Sequence, residues 1–274
     1  MKIMGYTFDD GVLAWKQDFD EVAMPYFQEG TGAHKKVGCI VTHGIGGTPA
    51  NVRVVADELV RRGYTVFAPT IAGHGTSILD LSKSTWQDWL KSEEDAYQRL
   101  VDAGCDEIIP IGLSLGGILT GMIAEEKPCT CAVMMSPPVC MKRWLHYARF
   151  LSGLTRGVQY PEMKKEERAG KLPYSQMYNG FSPNALRELW KLILRLRRNF
   201  QDIACPVYAM WAELDDKVSL RARKVLKKGL AHVEYRETVV MGAAHGQSYD
   251  PNVRDEVARM VADYVDEKVD GQKA

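Results

Sequence analysis

Three kinds of side chain that cooperate in nucleophilic chemistry occur in this chain in a suggestive order. Ser114 stands at the centre of Gly112-Leu113-Ser114-Leu115-Gly116, a G-x-S-x-G pentapeptide. A serine hydroxyl is a weak nucleophile until a base takes its proton, and the base in turn needs an acid to orient it. Of the six histidines only His232 and His245 follow residue 200. His232 opens an alternating run and reads as a strand-edge residue. His245 sits in "MGAAHGQSYD", a loop of small residues, and is the better base. The acid is expected after the apolar run "PVYAMWA", where Glu213, Leu214, Asp215, Asp216 and Lys217 follow. Adjacent aspartates cannot both point at one histidine. Position in the loop, with Val218 as an apolar anchor, favours Asp215 and leaves Asp216 as a solvated charge. The plainer alternative for the pentapeptide is a glycine-rich turn whose serine merely caps a helix.

The elements around these residues decide between the two. "EIIPIG" reads as a strand and Leu115 to Lys127 as a helix, so Ser114 falls on the sharp strand-to-helix turn that a nucleophile elbow requires. Further strands are expected at "KVGCIVT", "YTVFAP", "CTCAVMMS", "PVYAMWA" and "VEYRETVVM". Helices are expected near residues 50–62, 84–104, 219–230 and 252–269. The inner stripe of the second carries Trp86, Trp89, Leu90, Tyr97, Leu100 and Val101. Such alternation implies a mostly parallel sheet with helices on both faces. His245 then shares the carboxyl edge of the sheet with Ser114. A tetrahedral intermediate also needs backbone N–H donors. One is the amide of Leu115. The other is expected in the loop His43-Gly44-Ile45-Gly46-Gly47 after "KVGCIVT". A dinucleotide turn is the rival for that loop, but Pro49 occupies the place of its third glycine, and no acidic residue closes a following strand at the ribose position. Pro110 is an oddity, because proline cannot donate a ladder bond inside a central strand.

The alternation breaks between residues 139 and 202, where the pattern is helical and loop-like without a convincing strand. This divides the chain into a core of 1–138 and 203–274 and a helical cap of 139–202, a candidate lid. From Met141 to Phe200 there are thirteen basic residues and four acidic ones, although the whole chain is neutral. A basic cap over an acidic body suits attraction between the two, with the charges otherwise facing water. It also suits weak contact with an anionic substrate or lipid surface. Trp144, Tyr147, Phe150, Tyr160, Met163, Tyr174, Met177, Tyr178, Phe181 and Trp190 supply bulky aromatic and sulfur side chains. Trp144, Tyr147, Phe150, Met177, Tyr178 and Trp190 are the candidates for lining an acyl pocket over Ser114. A helix from Pro183 to Phe200 places Leu186, Leu189, Trp190 and Ile193 on one stripe.

Zero net charge gives no global pull towards nucleic acid. Six cysteines without a C-x-x-C pair read as reduced core thiols and suggest a cytoplasmic setting. The N-terminal residues lack a signal-peptide apolar segment, and no apolar run reaches transmembrane length.

Taken together, "HGIGGTP", "GYTVFAPTIAGHGTS", "GLSLGG", "WAELDDKV" and "GAAHG" resemble an α/β-hydrolase of the bacterial carboxylesterase and monoacylglycerol-lipase type. The resemblance covers most of residues 36–136 and 205–265. It departs at Ala212 and Ala244, where the family often has glycine. It implies Ser114 as nucleophile, Asp215 as acid, His245 as base, and the amides of Ile45 and Leu115 as the oxyanion hole. It further implies hydrolysis of short- to medium-chain acyl esters, including monoacylglycerols, with no metal or organic cofactor. His43 and His74 then hold loops. A thioesterase or aryl-ester hydrolase uses the same residues, and a ligand-binding protein can share the fold.

Overall fold

The computed structural model describes residues 1–9, 18–160 and 173–271. In chain order the strands are β1 (Lys2–Ile3), β2 (Tyr6–Asp9), β3 (Tyr26–Gln28), β4 (Val37–Thr42), β5 (Thr65–Ala68), β6 (Glu107–Leu113), β7 (Ala132–Met135), β8 (Gly157–Gln159), β9 (Gly180–Phe181), β10 (Val207–Ala212) and β11 (Tyr235–Val240). The helices are α1 (Arg53–Arg61), α2 (Ile78–Lys83), α3 (Trp86–Asp102), α4 (Leu115–Glu126), α5 (Arg143–Ala148), α6 (Pro183–Arg198), α7 (Arg221–Gly229) and α8 (Arg254–Gly271).

The central sheet has the order β11-β10-β7-β6-β4-β5-β3. Only β3, at one edge, is antiparallel, to β5. Its inner strands are buried on both faces, and their alternation feeds two cores. Val133, Met135, Tyr208 and Met210 pack with Leu59, Val261 and Val265 under α1 and α8. Ala132, Met134, Ala209 and Trp211 point the other way, towards Trp89, Leu119, Leu192 and Leu226 of α3, α4, α6 and α7. Removing this much apolar surface from water is the main drive for the layered arrangement.

Local chemistry fixes the helix starts. Thr85 caps α3 in a capping box with Asp88, the Thr85 N–H donating to the Asp88 carboxylate at 2.8 Å. Ser182 caps α6, accepting from the Ala185 N–H at 3.2 Å, and Pro183 occupies the first turn. A Cβ on Gly121 of α4 would stand 3.0 Å from both methyls of Leu196, so α6 rides close on α4.

Several expectations need correction. Val101, assigned to the inner stripe of α3, is exposed. The short α2 and β3 lie where no element is expected. Residues 139–202 contain β8 and β9, and these join β1 and β2 in a second, antiparallel sheet of order β1-β2-β8-β9. Thr7 pairs with Gln159 and Val158 with Phe181. The N-terminal strands, counted with the core, therefore pair with the insertion. Met163, Lys164, Lys165, Arg168 and Lys171 lie outside the described residues. Among the described basic residues of the insertion, Arg195 reaches Glu126 and, at 3.5 Å, Glu125 on α4, an attraction between cap and body.

Pro110 introduces no bulge. Its strand keeps continuous register with β4, from Val37 opposite Glu107 to Thr42 opposite Gly112. On the other side the Ile108 carbonyl accepts from the Thr130 N–H at 3.1 Å. The N–H and C=O of one residue point to the same side of a strand, and residues two apart share that side. The Pro110 nitrogen thus faces β7, one step before that pairing begins at Ile111 opposite Val133. Among the described residues no helix is long and apolar enough to cross a membrane.

Candidate active site

Ser114 stands between β6 and α4 at φ 56° and ψ −113°, a conformation that side chains rarely adopt. The neighbours that allow it have no room for a side chain. A Cβ on Gly112 would lie 2.2 Å from the Gly116 carbonyl, and one on Gly116 would lie 2.2 Å from the Thr42 carbonyl. The Ser114 N–H donates to the Met135 carbonyl at 2.8 Å and ties the turn to β7. The sharp turn lifts the hydroxyl onto the carboxyl edge of the sheet, where α4 begins.

His245 faces it. Ser114 Oγ lies 2.9 Å from His245 Nε2, and His245 Nδ1 lies 2.8 Å from Asp215 Oδ2. A carboxylate only accepts, so Nδ1 carries the proton and Nε2 is left to accept from the serine hydroxyl. The second carboxylate oxygen, Asp215 Oδ1, accepts from the Lys217 and Val218 amides at 2.8 Å each. Burial works to raise the Asp215 carboxyl, but the His245 bond and charge with those two amides outweigh it and hold it below the ordinary range. Asp216 is largely exposed and pairs with Lys217 at 2.6 Å. His232 binds the Ile203 carbonyl at 2.9 Å, away from this group.

The loops carrying acid and base are tied together. Leu214 N–H donates to the Ala243 carbonyl at 2.9 Å, and Gly242 N–H to Glu213 Oε2 at 2.7 Å. Gln247, two residues past the histidine, is buried and donates to Ser136 Oγ at 2.9 Å. Sequence alone offers little to single out Gln247 or Ser136, because neither has a motif; Ser136 shares the positive φ of Ser114, at 44°.

Opposite the histidine, the loop after β4 approaches closely enough that a Cβ on Gly44 would meet the Ser114 Cβ at 3.2 Å. His43 fixes this loop. Its Nδ1 donates to the Gly44 carbonyl at 2.9 Å and its Nε2 accepts from the Ile71 N–H at 3.2 Å. Burial pushes His43 down to about 3 and His74 to about 4, so both rings are neutral props. Leu115 is the first residue of α4, and the leading N–H groups of a helix have no partner within it.

A cavity of about 340 Å³ opens over Ser114, Ile45 and His245. Trp144, Met177 and Tyr178 line it, with Tyr160 and Phe181 from the same cap and with Leu145 and Leu186. Tyr147, Phe150 and Trp190 do not. Tyr147 and Phe150 are 58% and 65% exposed, and Trp190 lies under the Arg149 guanidinium, 4.6 Å from its ring centre. Tyr178 also braces the neighbouring loop, since its hydroxyl donates to the Gly73 carbonyl at 3.0 Å and accepts from the Thr76 N–H at 2.9 Å. Among the described residues no three His, Cys, Asp or Glu side chains converge as metal ligands do.

The model of a family described as "Alpha/beta hydrolase family" matches residues 39–262. The chain is similar to a thermostable monoacylglycerol lipase of Bacillus sp. (strain H-257), 27% identical over 236 residues, which cover 83% of this chain and 88% of that one. It is also similar to a carboxylesterase of Bacillus subtilis (strain 168), 27% identical over 187 residues, 68% of this chain and 75% of the relative. Among solved structures, one from work on two metagenome-derived lipolytic enzymes, LipS and LipT, superposes with a TM-score of 0.76 at 20% identity, covering 91% of this chain and all of that one. The monoacylglycerol lipase of Paleococcus ferrophilus gives 0.69 at 17% identity, covering 94% of this chain and all of that one.

Proposed function

The chain belongs to the alpha/beta hydrolase family, and from that premise we propose that it is a serine carboxylester hydrolase of short- to medium-chain acyl esters, monoacylglycerols among them. The observation that carries this reading is the hydrogen-bonded line Ser114–His245–Asp215, at 2.9 and 2.8 Å, beneath a largely apolar cavity. Ser114 Oγ attacks the ester carbonyl carbon as its proton passes to His245 Nε2. Asp215 steadies the imidazolium that forms. The amides of Ile45 and Leu115 receive the oxyanion. Collapse of the intermediate breaks the ester C–O bond, and His245 returns the proton to the departing alcohol. Water then gives a proton to His245, attacks the acyl-enzyme and releases the acid, and Ser114 recovers its hydrogen. No step calls for a metal or an organic cofactor.

The size of the cavity supports modest acyl chains, because about 340 Å³ lies at the low end of the roughly 300–1,000 Å³ of ordinary ligand pockets. The relatives named monoacylglycerol lipase and carboxylesterase support the ester class. A fluorophosphonate probe tests the nucleophile: wild type is labelled and Ser114→Ala is not. Equal labelling of the two removes Ser114 from its role. A panel of p-nitrophenyl esters of graded length, monoacylglycerols and acyl-CoA tests the substrate class. Preference for acyl-CoA would reassign the protein as a thioesterase.

A further inference from the structure

Glu93 takes no part in the steps above, yet it lies beneath them. It sits on α3 with no exposed surface. Its contact is with Thr42, the last residue of β4, whose Oγ1 is 2.9 Å from one carboxyl oxygen and 2.8 Å from the other. That hydroxyl is shared between the two carboxyl oxygens, and it is the one hydrogen bond that works to hold Glu93 as a carboxylate. No lysine or arginine contributes to holding the carboxylate form, and burial pushes Glu93 up to about 8. The nearby titratable groups are also uncharged. Burial keeps His43 and His74 neutral, and it raises the Cys129 thiol.

What Thr42 holds is the approach to the oxyanion loop. The carbonyls of Thr42 and His43 pack against Gly116, whose N–H donates to the His43 carbonyl at 3.1 Å. His43 then grips Gly44, the residue before Ile45. We propose that Glu93, as a neutral acid paired with Thr42, is a positioning residue that sets the end of β4 and, through His43 and Gly44, the Ile45 amide. This rests on the esterase reading of the site. Ionising Glu93 puts a charge with no cationic partner beneath the end of β4, and the cost of burying it loosens the anchor as pH rises.

The experiment compares wild type, Glu93→Gln and Glu93→Leu on a p-nitrophenyl ester from pH 6 to 10. Glutamine keeps an oxygen to accept from Thr42 and does not titrate. Wild-type kcat is expected to fall with a midpoint near the value of about 8, with KM unchanged. Glu93→Gln keeps turnover at pH 7 within about threefold and shifts that limb up by about one pH unit or more. Glu93→Leu loses about tenfold or more in kcat at every pH. An unshifted limb in Glu93→Gln overturns the proposal, and so does a Glu93→Leu enzyme with wild-type kcat. Thermal unfolding supplies a readout without turnover. The folded state keeps a proton that the unfolded chain gives up above its ordinary carboxyl value, so wild-type stability relative to Glu93→Gln declines up to about pH 8 and then levels. A difference that stays flat with pH sinks the neutral-acid claim even if Glu93→Leu fails to fold. If no ester is hydrolysed by any variant while that difference still slopes, the esterase reading has failed and the protonation of Glu93 has not.

Discussion

The carboxyl edge of the central sheet and the cap above it face the same cavity, but they are built in opposite ways. At the edge, backbone meets backbone. Gly116 touches the Thr42 carbonyl, Ser114 holds a strained φ, and both oxygens of Asp215 are engaged. In the cap, β8 pairs with β2 and β9 through backbone, but the wall it gives the cavity is made mostly of side chains. Trp144 is held by the Lys217 ammonium 5.0 Å from its ring centre, and a Cβ added to Gly153 would meet nothing within 4 Å. Backbone contacts have fixed lengths, whereas side-chain contacts can be exchanged for others of similar volume. The reaction geometry is therefore rigid, and the fit to the acyl group is the adjustable part of the molecule.

The sharpest way to break that contrast is at neighbouring carboxylates. Asp215 and Asp216 are adjacent, yet one holds His245 and the other pairs with Lys217 at the exposed rim of the cavity. Asp215→Asn leaves the shape of the loop but cannot stabilise the imidazolium, and kcat is expected to fall by about 10⁴. Asp216→Asn removes only a surface pairing with Lys217, and kcat should stay within about twofold. Steady-state kinetics on one ester checks both, and equal losses would end the distinction.

A second test uses glycines and reads stability. Gly116→Ala forces a methyl group against the Thr42 carbonyl, which must move or break the Gly116–His43 hydrogen bond. A loss of about 3 kcal/mol or more is expected, at the upper end of overpacking costs. Gly153→Ala in the cap should lie within about 0.5 kcal/mol of wild type. Urea denaturation of the two variants measures the difference directly.

The same contrast explains what could be read from the sequence. Ser114, Gly112 and Gly116 are legible because a backbone-made turn dictates residue types at fixed spacing. His245 and Asp215 follow from strand order, since loops after parallel strands share one edge. The cap has no such grammar. The two-residue β9 and the three-residue β8 are too short to show alternation, and the partner of β8, on β2, lies about 150 residues earlier in the chain. Tyr147 and Phe150 resemble Trp144 in type, and only the packed structure shows which of them turns inward. Glu93 reads as one more charge in "KSEEDAY". A signal was present, though: it lies four residues after Trp89 and seven before Leu100, on the buried stripe of its helix.

The smallest expected effect sharpens the contrast within the cap itself. Trp144 and Phe150 are both large, both aromatic, both partly exposed, and six positions apart in the chain. Trp144 lines the cavity and its indole N–H donates to the Asp216 carbonyl at 3.4 Å, next to the acid loop. Phe150 faces outward under Arg149, whose guanidinium is 4.6 Å from its ring centre. If the cap supplies acyl contacts one side chain at a time, Trp144→Ala removes buried apolar surface from the bound ester. It should then raise KM for a medium-chain substrate by about tenfold, the equivalent of roughly 1.4 kcal/mol, with a smaller change for an acetyl ester that does not reach it. Phe150→Ala should leave KM for both esters within about twofold. Since neither residue touches the reacting atoms, kcat should hold in both variants. A fall in kcat for Trp144→Ala would mean that the Trp144–Asp216 contact steadies the acid loop, and that the cap shares in the geometry of the edge.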